Sequence, residues 1–290
     1  MPYPSLPIPA SSQDPIYWRT PTNAACALAL TRLISQANRP VLILARSSFE
    51  VARLNDELCA FGVSPTVFPD WEILPYDRFS PHQDIVSERL SQLWRLPRQQ
   101  NGVLLVAAPT LVQRLPPASF IAERVLLLKT GDRLDIDRFR QQLEAAGYRA
   151  VSQVYEHGEF AVRGAIIDLY PMGSTMPLRI DLFDDEIESL RTFDPETQLS
   201  VDKIDRIELL PAREIPTDES GITTFRRNYR SRFDGDPSQS VVYRQMSQGL
   251  PPAGIEAYLP LFFDQTNTLF DYLPANTLII RMPEIEQAVD

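Results

Sequence analysis

The runs VLILA (41–45) and GVLLVAAP (102–109) are apolar without interruption. A strand with one wet face would alternate apolar and polar residues, so both runs must be covered on both sides, as strands of parallel sheets are. Helical patterns lie between them. TNAACALALTRLISQAN begins at Thr22, with Thr22 or Asn23 as cap, and ends before Pro40. A second helix is predicted over 49–61, capped by Ser48 and closed by Gly62, and a short strand over 66–68. A loop containing Trp71, Tyr76, Phe79 and His82 leads to a helix over 85–94, and Thr110 is placed to cap a short helix, LVQRL. Helices alternating with buried strands give an α/β unit over residues 1–117. TLIIRM (277–282) is another strand of this type and is predicted to return to the first sheet.

After Pro116-Pro117 the pattern changes. A strand over 125–129, a helix over 136–146 and a link over 148–154 precede three consecutive strands, 160–170, 178–183 and 186–193, and the stretch 204–210 completes an α+β domain over 118–212. In LRIDLF, alternation assigns Leu178, Ile180 and Leu182 to one face and Arg179, Asp181 and Phe183 to the other. Phe183 is therefore out of phase with the core. An aromatic ring on the polar face with an arginine suits a binding hot spot, but alternation alone favours a ring tucked under a neighbouring loop and a merely solvated arginine. Arg163 carries the same two readings, since it can pair with Asp181 or Asp168. The remainder, 213–290, is mostly helical.

Composition removes several function classes. Cys26 and Cys59 are the only cysteines and His82 and His157 the only histidines, too few for a zinc site or a disulfide framework, so no metal is expected. His82 has no neighbouring Ser or Cys nucleophile, and no catalytic residue is assigned. A net charge of −10 disfavours a general nucleic-acid surface, and 26 of the 28 basic residues are arginine. Neither Lys129 nor Lys203 follows a glycine, so no Walker A loop is present. LRIDLFDDEIE imitates an acidic metal-holding strand end, but with no phosphate loop opposite it reads as a solvated hairpin turn. FRRNYRSRF, with Arg226, Arg227, Arg230 and Arg232 interleaved with Phe and Tyr, could contact phosphates, but Phe225, Tyr229 and Phe233 fall at helical spacing and are expected to be a core stripe beneath a solvated arginine face. No apolar run is long enough to span a membrane and the start, MPYPSLPIPA, is not a signal peptide, so a cytoplasmic protein is expected. The end, PEIEQAVD, reads as the opening turns of a helix, which suggests a piece of a longer chain.

LPYDRFSPHQDIVSERL (74–90), EHGEFAVRGAIIDLYPMGS (156–174), LFDDEIESLRTFD (182–194) and PAGIEAYLPLFF (252–263) resemble, in order and spacing, the amino-terminal module of the bacterial transcription-repair coupling factors. That module is similar to UvrB, with domain 1a, then 2, then 1b. The resemblance implies a degenerate P-loop (RecA/UvrB-like) parallel-sheet domain with an inserted α+β antiparallel-sheet domain: 1–117 as domain 1a, 118–212 as domain 2 and 213–290 as a portion of 1b. It implies that domain 2 binds UvrA through Arg163, Arg179 and Phe183. Where UvrB-like proteins carry GxTGSGKT, this chain has Thr20 to Ala27. Over Thr22, Asn23, Ala24, Ala25, Cys26 and Ala27 the loop is degenerate, with Cys26 at the lysine position and Ala27 at the Mg²⁺-binding hydroxyl. The implied function is a non-catalytic recruitment module without cofactor, whose longer relatives reach RNA polymerase and double-stranded DNA through regions absent here. The alternative is a helicase-like enzyme fragment with residual nucleotide or DNA binding.

Overall fold

The computed structural model describes residues 7–9, 15–19, 24–74 and 76–289. Helix α1 (Ala24–Ala37) is built from Ala and Leu and buries Cys26, Ala27, Leu30 and Leu33 as one stripe. Its expected caps, Thr22 and Asn23, lie outside the described residues. Strand β1 (Val41–Ala45) is buried throughout. Helix α2 (Ser48–Ala60) is capped by Ser47 and not by the expected Ser48: Ser47 keeps extended backbone and its side chain accepts from the Glu50 N–H at 3.3 Å. Strand β2 (Thr66–Val67), helix α3 (Gln83–Arg95) and strand β3 (Val103–Ala107) follow.

Thr110 does not cap a helix. Ala108 begins a single turn, α4 (Ala108–Leu111), with Pro109 in its opening positions, in which Thr110 is buried and its hydroxyl donates to Asp70 Oδ2 at 2.7 Å. Helix α5 (Ala118–Ala122), strand β4 (Leu126–Lys129) and helix α6 (Ile136–Ala145) come next, α6 capped by Asp135, which accepts from Arg138 N at 2.8 Å. After the short β5 (Arg149–Ala150), the expected single strand over 160–170 is two: β6 (Glu159–Arg163) and β7 (Ile166–Leu169). Gly164, at φ +63°, turns the chain where a side chain would be strained, and Arg163 pairs with Ile166 across a hairpin. Strands β8 (Leu178–Phe183) and β9 (Glu186–Phe193) match the expected spans. The stretch read as 204–210 is the end of one strand, β10 (Ser200–Ile204), and the whole of another, β11 (Arg206–Leu209).

Helix α7 (Glu219–Arg232) starts well before the basic stretch because Asp218 caps it, accepting from Gly221 N at 2.8 Å. Helix α8 (Val241–Ser247), 3₁₀ turns over Ile255–Leu261 and Leu269–Tyr272, strand β12 (Leu278–Arg281) and helix α9 (Ile285–Val289) complete the chain. Among the described residues no helix is long and apolar enough to cross a membrane.

Two compact units result. The first comprises Met1–Asp70, Arg95–Gln113 and Thr268–Asp290, and holds a four-stranded parallel sheet in the order β12-β1-β3-β2. β12 pairs with β1, Val41 opposite Leu278, so the strand near the chain's end does return to the first sheet. The second unit comprises Trp71–Trp94 and Arg114–Asn267. Its six-stranded sheet runs β10-β9-β8-β7-β6-β5, antiparallel except for β5 with β6, and β11 pairs separately with β4. One face of the large sheet buries Phe160, Ile167, Leu169, Leu178, Ile180, Ile187 and Leu190, each contributing about 1.5–3 kcal/mol. A second core in this unit gathers Ile215, Phe225, Tyr243, Met246, Ile255, Leu259, Leu261 and Phe262.

Candidate partner-binding face

The alternation in β8 is realised: Leu178, Ile180 and Leu182 are buried, Arg179 and Asp181 are half-buried, and Phe183 is 70% exposed. Register places Asp168 of β7 opposite Arg179, and Arg191 of β9 on its other side. One row across the sheet thus reads acid, base, base. Asp168 is almost completely enclosed, and Arg179 forks onto it, Nε to Oδ1 at 2.7 Å and Nη2 to Oδ2 at 3.0 Å. The remaining arm of Arg179 donates to the Gln198 carbonyl at 3.2 Å, and its guanidinium lies 4.9 Å from the Phe193 ring. Hydrogen bonding to Asp168 holds the Arg179 pKa above the ordinary value against the opposing effect of burial.

Arg163 pairs with the same carboxylate, Nη2 to Asp168 Oδ2, while half of its side chain stays open to solvent. Of the two partners the sequence allows, Asp168 is the one taken. Asp181 instead accepts from Ser189 Oγ at 2.7 Å and lies 3.6 Å from Arg191 Nε. Arg179 is thus neither merely solvated nor a free fork: its donors are engaged inside the sheet. Arg163 and Phe183 sit at one end of the sheet, because Leu182 N donates to Ala165 O at 2.9 Å and brings the β6–β7 turn beside the end of β8. The β8–β9 turn is Asp184-Asp185, with Asp184 at φ +54° and both residues exposed, as a solvated hairpin requires. The ring of Phe183 has no cover. The structure places Arg163, Arg179 and Phe183 on one face, with Phe183 about 13 Å along the strand from Arg179.

Of the degenerate loop, Thr22 and Asn23 lie outside the described residues, and Ala24 to Ala27 form the first turn of α1. Cys26 and Ala27, at the lysine and hydroxyl positions, point into the core. Burial pushes the Cys26 thiol above its ordinary pKa, the reverse of a reactive thiolate. Among the described residues no group of three or more His, Cys, Asp or Glu is arranged to hold a metal ion.

One feature of this unit has no local signature in the sequence. Arg89 on α3 is wholly buried and donates to Glu214, 125 residues away, Nε to Oε1 at 2.5 Å and Nη2 to Oε2 at 3.3 Å. Trp71 Nε1 donates to the same carboxylate at 3.3 Å, and its ring lies 4.9 Å from the Arg89 guanidinium. His157 likewise has structural partners, Asp84 Oδ1 at 2.7 Å and the Ser174 carbonyl at 2.8 Å. His82 is exposed beside Asp84.

Residues 126–215, from β4 to just beyond β11, match the family described as the UvrB interaction domain. The chain is 50% identical over 264 residues to the transcription-repair-coupling factor of Haemophilus influenzae, covering 89% of this chain and 23% of that protein. It is 46% identical over 271 residues to the protein of that name from Escherichia coli, covering 93% and 24%, and 24% identical over 291 residues to that of Bacillus subtilis, covering 92% and 24%. The chain spans about a quarter of the length of the curated relatives it matches.

Proposed function

We propose, from the premise that the chain belongs to the transcription-repair-coupling factor family as its amino-terminal UvrB-homology module, that it is a non-catalytic recruitment module that binds UvrA through the antiparallel-sheet face bearing Arg163, Arg179 and Phe183. The observation that carries this reading is Phe183: a large ring, 70% exposed, at the end of a face whose arginines are already fixed by a buried aspartate. Such a face is pre-organised, so little side-chain entropy is lost when a partner covers it. The experiment is titration of purified UvrA into this chain, and parental affinity in an Arg163→Ala, Arg179→Ala, Phe183→Ala variant that is still folded would move the site elsewhere. In this reading the work is cytoplasmic, and ATP-driven translocation on double-stranded DNA and the contact with RNA polymerase belong to parts of the longer proteins outside this sequence.

The chain itself is then expected not to bind nucleotide. A triphosphate needs backbone N–H groups and a lysine to offset its charge, and Cys26 and Ala27 are buried apolar side chains. Calorimetric titration with Mg-ATP should be flat. Micromolar binding displaced by ADP and lost on substitution within 22–27 would instead favour the helicase-like alternative.

We also propose that 118–212 is a separable domain inserted between 1–117 and 213–290, because one face of its meander is apolar throughout; the compact unit containing it is wider, adding Trp71–Trp94 and the residues up to Asn267. Pro116 and Pro211, at the two ends of the domain, are buried, so expression of 118–212 alone and not proteolysis is the test of the boundary. An unfolded product on expression of 118–212 alone would count against the boundary.

A further inference from the structure

The aromatic stripe of α7 starts in the core and then leaves it. Phe225 is fully buried, Tyr229 half-buried and Phe233 exposed. The rings continue beyond the helix: Tyr229 stacks against Tyr243 at 5.1 Å and Phe233 at 4.6 Å, Phe233 meets Tyr258 at 6.5 Å, and Tyr258 meets Tyr76 edge-on at 5.4 Å. The stripe ends in two exposed rings, Phe233 and Tyr76.

At its other end stand Arg226 and Arg230, one helical turn apart, both exposed and without a carboxylate partner among the described residues. Arg227, between them in sequence, is paired with Asp264. Arg230 lies over the Tyr243 ring at 5.6 Å, and Arg226 and Arg230 both converge on the Tyr243 hydroxyl. Burial pushes this phenol up, but the two neighbouring guanidinium groups together outweigh it and hold its pKa below the ordinary tyrosine value. In a chain of net charge −10, two exposed arginines one helical turn apart with no carboxylate partner among the described residues form a local site that wants an anion.

We propose that this strip binds single-stranded nucleic acid, with backbone phosphates held by Arg226 and Arg230 and bases stacked on the exposed rings of Phe233 and Tyr76. An acidic peptide would satisfy the arginines but leave the rings unused, whereas a single strand presents charge and flat aromatic faces at alternating positions. The site is independent of the UvrA face and makes no use of the degenerate loop.

The test is fluorescence anisotropy of a labelled oligothymidylate of about fifteen nucleotides, titrated with the chain across a series of salt concentrations. Arg226→Gln with Arg230→Gln should weaken binding at low salt at least tenfold and reduce the slope of log K against log salt by about 1.4, two single-strand phosphates at ~0.7 each. Phe233→Ala should weaken binding between about fivefold and a hundredfold. Circular dichroism checks the fold, and Tyr76→Ala, in a loop, gives the same reading should Phe233→Ala lose helix. No binding of the parent at low salt, or unchanged binding by the arginine double variant, would overturn the proposal. Competition by polyglutamate as effective as by unlabelled oligothymidylate would overturn it in favour of an acidic protein segment.

Discussion

Phe183→Ala is expected to weaken UvrA binding about thirtyfold or more while leaving the melting temperature within a few degrees of the parent. A central apolar anchor typically contributes ~2 kcal/mol or more when it is excluded from water in a complex. In the free chain the ring is 70% exposed, so removing it forfeits little packing and surface substitutions change stability by only about half a kcal/mol. Arg179→Ala is expected to behave differently. It strips the bidentate partner from Asp168, which is 1% exposed, and leaves that carboxylate with Arg163 alone. A buried acceptor losing its charged partner costs about 1–3 kcal/mol, so this variant should lose stability together with binding. Calorimetric titration with UvrA, set beside thermal unfolding of each variant, separates the two cases. If Phe183→Ala is folded and binds as the parent does, the anchor is not Phe183. If it unfolds, the ring is core after all.

The difference between these two residues marks how far the sequence could be read. The faces of β8 were legible because period-two alternation depends only on neighbours along the strand, and Leu178, Ile180 and Leu182 are buried accordingly. The engagement of Arg179 was not, because Asp168 is eleven residues away on another strand and register alone brings them together. Merging β6 and β7 into one strand also hid the geometry of Arg163. In an unbroken strand, residues 163 and 168 are an odd number of places apart and point to opposite faces. The turn at Gly164 reverses the chain, so Ile166 lies opposite Arg163 and Asp168 comes round to its side of the sheet. The parallel sheet was readable from the unbroken apolar runs of β1 and β3, and β12 does return to it, but as an edge strand with Ile279 45% exposed and not as the doubly covered strand its apolar run suggests. Cap positions were missed by one residue, at Ser47 and Ser48, because either serine satisfies the rule and only the backbone angle at Ser47 decides.

Nothing along the chain announces Arg89 and Glu214, and they carry the largest expected effect on stability. Glu214→Ala is expected to destabilise the second unit by about 3–5 kcal/mol, because it removes the carboxylate paired with a guanidinium that is 0% exposed. It also removes the acceptor for Trp71 Nε1, so the loop entering α3 loses a tether as well. For a unit of this size each kcal/mol shifts the melting temperature by roughly 2–4 °C, giving a fall on the order of ten degrees. Replacing both members with apolar side chains of similar volume should be much milder than either single change, since the cost lies in the uncompensated charge more than in the lost attraction. Thermal unfolding of Glu214→Ala, Arg89→Met and the Arg89→Met, Glu214→Leu pair tests this directly. A Glu214→Ala variant within about 1 kcal/mol of the parent would mean that Arg89 finds other acceptors or water on losing Glu214. The double replacement also bears on UvrA binding: the pair lies outside the face of Arg163, Arg179 and Phe183, so a folded double variant should bind UvrA as the parent does, and a loss there would mean that the recruiting surface extends beyond the sheet.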